Sequence, residues 1–231
     1  MLIQGLQKLT LLDFPGRVAC TVFLGGCDFR CPFCHNSTLI AGGEAVMDDA
    51  ALLSFLKKRQ GLLDGVAFTG GEPLLRRDLA PLLREIRALG FEVKMDTNGN
   101  HPDVLKALVG EGLIDYVAMD IKNSPEKYAV TIGLEQFDIS AVEESLAFLK
   151  TGTVDYELRT TAVAEYHTDE DFRAIARWIE GADHYFIQCY TERDSVLCHG
   201  LTAPTEEALR RWCELVRPFV GEASVRGAAV E

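Results

Sequence analysis

The chain has 231 residues, 48% of them apolar and 25% charged, which is the make-up of a soluble globular protein large enough for a substantial core. Its net charge of −12 argues against a nucleic-acid grip by surface charge, because phosphate binding needs an excess of Lys and Arg. No apolar run reaches membrane-spanning length, and the first residues lack the basic start and long apolar stretch of a signal peptide, so a cytoplasmic protein with no membrane contact is expected.

Residues 1–16 read as an irregular opening segment with Pro15 and Gly16 in a turn. Residues 17–24 (RVACTVFL) form a buried strand, with Cys20 as a core thiol. Residues 48–59 carry Leu52, Leu53, Phe55 and Leu56 on one helical face, and residues 64–69 make the second strand. Leu75, Leu79, Leu82, Leu83, Ile86 and Leu89 mark the next helix, which Gly90 stops. The third strand is 91–97, ended by Asn98 and Gly99, and Pro102 opens a short helix. The fourth strand is 115–121. Ser140 and Glu143 fit a capping box that starts a helix over Val142, Leu146 and Leu149. Strand five is 156–163, Thr168 caps a helix over Phe172, Ile175 and Ile179, and strand six is 184–190. A loop, 191–204, leads to a last helix with Leu209, Trp212, Cys213 and Val216, and 223–226 can add a short strand.

Six strands alternating with helices predict an α/β fold with a mostly parallel sheet and helical crossovers. Eight would close a barrel, so six predict an open, partial (β/α)6 TIM-like barrel. With no repeat or linker to divide it, the chain is expected to be a single domain, 1–231, with its core over about 17–190 and a C-terminal helix and tail over 201–231.

Three of the seven cysteines, Cys27, Cys31 and Cys34, fall within eight residues at the end of the first predicted strand, spaced C-x3-C-x2-C. In a chain without a secretory leader, clustered cysteines suggest metal rather than disulfides. Iron–sulfur clusters are held by Cys thiolates, ordinarily four; three leave one iron open to a substrate or cofactor. The alternatives are a buried thiol cluster or a zinc site completed by His35, but zinc loops usually pair C-x2-C with a distant second pair, which this chain lacks. Further polar motifs end the next strands: Gly70, Gly71, Glu72 and Pro73 after the second, Asp96, Thr97, Asn98 and Gly99 after the third, and Asp120, Ile121 and Lys122 after the fourth. Ligands of parallel α/β folds bind at the C-terminal ends of the strands, so these motifs are expected to converge. The two glycines let a ligand approach the backbone, and Glu72 can accept from an ammonium group. Ordinary turns and solvated salt bridges are the plain readings of the same motifs.

The cysteine loop, with Phe33 as its aromatic residue, resembles the defining loop of the radical S-adenosylmethionine (SAM) enzymes. Its flanks, Phe23 to Gly26 and Cys34 to Asn36, resemble the glycyl-radical activating branch, and the opening from Gly5 to Gly16 is most similar to activating proteins of anaerobic ribonucleotide reductase. The resemblance runs from about Gly5 to about Gly133. It implies one 4Fe-4S cluster on Cys27, Cys31 and Cys34, with SAM chelating the fourth iron. It places Phe33, Gly70, Gly71, Glu72, Asp96, Thr97, Asn98, Asp120 and Lys122 around SAM. It also implies a monovalent cation between Asp96 and Asp120, because two like charges there would repel. Arg159 on strand five is expected to point inward to SAM, and Gln188 on strand six to supply a polar contact where some relatives carry a histidine and this chain has Thr191. His35 is expected to pack or hydrogen-bond rather than ligate. Cys189 and Cys198 read as separate thiols or as a redox pair. The implied reaction is reductive cleavage of SAM, one electron coming from flavodoxin or ferredoxin. The 5′-deoxyadenosyl radical equivalent so formed takes a hydrogen atom from a backbone glycine of anaerobic ribonucleotide reductase. Another glycyl-radical enzyme, a peptide or a small molecule is the alternative substrate, and an iron–sulfur electron carrier is the alternative of another class.

Overall fold

A computed structural model describes residues 2–227; the ends of the expected domain, Met1 and 228–231, lie outside the described residues. Eight strands form one sheet in sequential order: β1 (Ile3–Thr10), β2 (Ala19–Leu24), β3 (Gly65–Gly70), β4 (Glu92–Thr97), β5 (Tyr116–Asp120), β6 (Asp155–Ala162), β7 (His184–Cys189) and β8 (Glu222–Arg226). Strands β2 to β8 are parallel, and β1 pairs with β2 antiparallel. Among the described residues β8 does not pair with β1, so the sheet stays open. The helices are α1 (Ser37–Ile40), α2 (Asp49–Lys57), α3 (Leu79–Ala88), α4 (Pro102–Gly110), α5 (Tyr128–Thr131), α6 (Ser140–Leu149), α7 (Asp169–Trp178) and α8 (Glu206–Val216). None is long and apolar enough to cross a membrane.

The open α/β barrel follows the periodicity of the sequence, with two revisions, and the short extra strand allowed for near the end forms. The opening segment is not irregular: it is β1, an edge strand whose register with β2 slips twice. Those slips and the exposed run Gln7, Lys8 and Leu9 erase the two-residue alternation by which a strand is read. The short stretch near 223–226 is a full parallel strand, seated on β7 by Tyr185↔Ala223 and Gln188↔Arg226. The capping box expected at Ser140 does not form. Ile139 holds the cap position without a side-chain bond, and the Asp138 carboxylate accepts from the Ser140 N–H at 3.0 Å. A local aspartate has taken the donor that the box would have used.

The outer face of the sheet packs against the helices through residues such as Val66, Phe68, Val93, Met95, Val117 and Leu158, all fully buried. The inner face is polar in successive layers. Glu157 on β6 is clamped by both guanidinium nitrogens of Arg226, at 2.9 and 3.0 Å, and accepts from Tyr116 Oη at 3.1 Å. One pleat further towards the strand ends, Arg159 lies beside Asp120 in the β5–β6 register, and Thr161 lies beside Gln188 in the β6–β7 register. An inner face this polar needs its charges paired, and it positions the chemistry at the C-terminal rim.

Candidate active site

The cysteine loop leaves β2 and is pinned by backbone hydrogen bonds on several sides. Gly26 and Cys27 donate to the carbonyls of Leu39 and Ile40 at 2.7 and 3.1 Å, Glu72 N–H donates to Gly26 O at 2.8 Å, and Arg30 N–H donates to Ile132 O at 2.8 Å. Phe29 is buried edge-on to Phe137 at 5.3 Å, and Phe33 is buried against Tyr166 at 5.8 Å. Two aromatic anchors thus flank Cys31, whose side chain is buried between them in sequence. Cys198 N–H donates to Pro32 O at 2.9 Å, which brings the loop after β7 onto the cysteine loop. Ser37 Oγ donates to Ser195 O, and Ser195 Oγ donates to His35 O at 2.6 Å.

All fourteen expected site residues line one cavity: Cys27, Cys31 and Cys34, and with them Phe33, Gly70, Gly71, Glu72, Asp96, Thr97, Asn98, Asp120, Lys122, Arg159 and Gln188. Thr69, Phe29, Asn36 and Thr161 join them. Thr161 was legible in principle, since it is two residues from Arg159 and a strand repeats its face every second residue. Asn36 Nδ2 donates to Gly70 O at 3.0 Å and ties the end of the cysteine loop to the glycine pair.

Two of these residues do a different job from the one their motif suggested. Glu72 is buried and its carboxylate is committed to the chain: Oε1 accepts from Leu74 N–H at 3.0 Å and Thr97 Oγ at 2.8 Å, and Oε2 accepts from Asn98 N–H at 2.7 Å. Burial pushes its carboxyl up to about 7 against those three donors, which pull it down. Glu72 is a bracket between the ends of β3 and β4 rather than a free acceptor. Asn98 is equally engaged, through its N–H to Glu72 and its Nδ2 to Asp28 at 2.8 Å.

Arg159 points inward. Its Nε donates to Asp120 Oδ1 at 3.0 Å and its Nη1 lies 3.6 Å from Asp96 Oδ2. Lys94, which belongs to none of the motifs, is buried and donates to Asp96 Oδ1. Lys122 Nζ donates to Asp120 Oδ2 at 2.8 Å. The result is an ionic chain, Lys94–Asp96–Arg159–Asp120–Lys122. The guanidinium stands between the two carboxylates, so the repulsion that called for a monovalent cation is met within the protein. Burial works against the ionised form of Asp120, but Lys122 and Arg159 hold its carboxyl at about 2. Asp120 in turn keeps Lys122 protonated, against the pull of burial. Four members of the chain, Asp96, Asp120, Lys122 and Arg159, reach the cavity, where the two cations balance the two carboxylates, while Lys94 stays buried behind them.

His35 stacks on Tyr190 at 5.7 Å, and its Nε2 lies 2.7 Å from Thr191 O. This agrees with a packing role. Among the described residues no three or more His, Cys, Asp or Glu side chains are gathered closely enough for a single metal ion. The three cysteines are free thiols around a shared cavity. Burial pushes Cys27 up to about 12 and Cys31 up to about 11, and it raises Cys34 as well. Such thiols are inert until a metal takes them as thiolates. Three sulfurs on one pinned loop, sharing a cavity with paired cations and carboxylates, fit a cubane cluster and a zwitterionic ligand.

An open, mostly parallel barrel with a three-cysteine loop at its C-terminal rim defines a class of cluster-dependent enzymes. Residues 21–179 match the Radical SAM superfamily, and the chain belongs to it. The family holds a 4Fe-4S cluster and SAM. Over 234 residues, 97% of this chain and 95% of the other, it is 30% identical to a Methanocaldococcus jannaschii protein named for glycyl-radical enzyme activation. It is 26% identical to 7-carboxy-7-deazaguanine synthase of Koribacter versatilis over 185 residues, 76% of this chain and 79% of that one. Among solved structures, Streptococcus suis SuiB bound to S-adenosylmethionine superposes with a TM-score of 0.68 at 14% identity, covering 90% of this chain and 49% of SuiB, which speaks to the fold alone.

Proposed function

We propose that this protein is a cytoplasmic, single-domain radical SAM activase that installs a glycyl radical on a partner enzyme. The opening segment favours anaerobic ribonucleotide reductase as that partner, with flavodoxin or ferredoxin as electron donor. Cys27, Cys31 and Cys34 hold the cluster. When bound, the cluster supplies the electron that cleaves the sulfonium of SAM and so yields a carbon radical able to abstract hydrogen. The remaining roles belong to the chain's own residues. Lys122 and Arg159 offer cationic donors for the methionyl carboxylate of SAM. The methionyl ammonium falls to the backbone of Gly70 and Gly71, since Glu72 is already committed. Phe29 and Phe33 wall the cysteines from water, and Gln188 and Thr161 border the space for the nucleoside. A monovalent cation has no part in this reading, because Arg159 already bridges Asp96 and Asp120.

The observation that carries the reading is the meeting of three cysteines and the ion-paired Asp96, Arg159, Asp120 and Lys122 in one cavity. An electron carrier has no use for such a pocket. Calorimetry of SAM on the anaerobically reconstituted protein tests this. Binding that the charge reversal Lys122→Glu weakens, while iron content stays unchanged, supports the site. Equal affinity in wild type and variant removes Lys122 from it. The likeness to 7-carboxy-7-deazaguanine synthase favours a second reading, in which the same chemistry acts on a small molecule. SAM cleavage that leaves no radical on a glycyl-radical enzyme would favour that second reading.

A further inference from the structure

Asp28 directly follows the first cluster cysteine, and no part of the proposed reaction uses it. Its side chain is about three-quarters buried, and it is met from across the fold by the turn between β4 and α4. Oδ1 accepts from Asn98 Nδ2 at 2.8 Å, Oδ2 accepts from Asn100 Nδ2 at 2.5 Å, and His101 Nε2 lies 3.2 Å from Oδ2. The turn is preset for this. Asn98 Oδ1 accepts from Asn100 N–H at 2.9 Å, so both amides face the same way, and Asn98 N–H is held by Glu72. Oδ1 also lies 3.9 Å from Cys27 Sγ, which otherwise accepts from Phe29 N–H at 3.4 Å.

Two consequences follow from this placement. The first is mechanical. Cys27 sits at the β2 end of the loop, and Asp28 ties that end to the same turn that anchors Glu72. The cysteine loop, the glycine loop and the β4 turn thereby become one body. The second is electrostatic. A thiol loses its proton when it binds metal. The contact between Asp28 and the sulfur is then one between two negative groups in a partly desolvated place, where charges act strongly. Net charge and hydrogen bonding around the sulfurs set the potential of an iron–sulfur cluster. An anion beside it disfavours adding an electron.

We propose that Asp28 is a positioning residue that latches the Cys27 end of the loop to the β4–α4 turn and lowers the reduction potential of the cluster. The inference rests on the cluster assignment made above. A lower potential makes the reduced cluster a stronger donor to the sulfonium, which is the difficult transfer in the reaction.

The test uses two variants and two readouts. Asp28→Asn keeps the size of the side chain and removes its charge; Asp28→Ala removes the latch. In metal-free protein, amide hydrogen exchange over residues 27–30 is expected to be several-fold faster in Asp28→Ala than in wild type, with exchange in α7 unchanged. In reconstituted protein of matched iron content, the midpoint potential from an EPR-monitored redox titration is expected to move positive in Asp28→Asn. Unchanged exchange in Asp28→Ala overturns the latch. An unmoved or more negative potential in Asp28→Asn overturns the electrostatic role. If wild type takes up no cluster, the cluster assignment has failed, and the exchange experiment still decides the latch on its own.

Discussion

Gly71→Ala is the sharpest steric test of the site. Gly71 lies where the β3 loop crosses the cysteine loop, and a Cβ built there would stand 1.9 Å from Gly26 O and 2.6 Å from Gly26 C. An ordinary C···O contact is about 3.3 Å, so the two backbones must part by roughly 1.4 Å. Both atoms are main chain, so no side chain can swing away. The parting breaks the Glu72 N–H to Gly26 O bond, now 2.8 Å. A buried donor left without a partner costs about 1–3 kcal/mol, and overpacking costs about 1–3 kcal/mol more. For a chain of this size that is a fall of roughly 5–20 °C in melting temperature. Misplacing reacting groups by about 1 Å costs roughly 100-fold in rate, so SAM cleavage should fall by about that much even where the cluster assembles. Thermal unfolding, iron content after anaerobic reconstitution and 5′-deoxyadenosine formation measure the three effects. Gly110→Ala is the control: nothing lies within 4 Å of its added carbon, and it should gain roughly 0.5–1 kcal/mol at the end of α4. A Gly71→Ala protein with wild-type melting and wild-type SAM cleavage would refute the close crossing of the two loops.

Three further outcomes are expected. Arg159→Met leaves Asp96 and Asp120 facing each other without their bridge, and it should destabilise the fold by about 3–5 kcal/mol; an unchanged urea midpoint would count against the bridge. The Asp120 carboxyl, held at about 2 in the folded protein and ordinarily at 3.8, contributes stability that is complete above 3.8 and lost as pH falls towards 2. Stability of the Arg159→Met protein should therefore fall less steeply than wild type across that window, as read by urea unfolding at successive pH values. Thr168→Ala removes the one complete capping box of α7, in which Thr168 and Asp171 each bond the other's backbone, and should cost about 1 kcal/mol, with Thr168→Ser close to wild type.

Much of the site could be read from the sequence because each motif sits within a few residues of a strand end. The strands were legible from their apolar runs, and the rule that ligands gather at their C-terminal ends did the rest. What stayed hidden is long-range. Lys94, two residues before Asp96 on the same strand, was as legible as Thr161, but its place in the ionic chain depends on the long-range Arg159 contact to Asp96. The Asp28 latch joins residues seventy apart, and nothing in their spacing announces it. Glu72 stands where the motif puts it but does other work. The sequence offers a carboxylate after two glycines, and only the packing reveals three donors already upon it. β1 escaped because an edge strand with two register slips has no period to read.

The central claim is that three cysteines and a charged pocket cleave SAM to make a radical on a protein glycine. The direct test is anaerobic: reconstituted protein, dithionite and SAM, with and without anaerobic ribonucleotide reductase, followed by 5′-deoxyadenosine analysis and EPR. Deoxyadenosine is expected together with a glycyl-radical signal on the reductase, both lost in Cys27→Ala, Cys31→Ala and Cys34→Ala. An intact cluster that yields neither deoxyadenosine nor radical would contradict the claim.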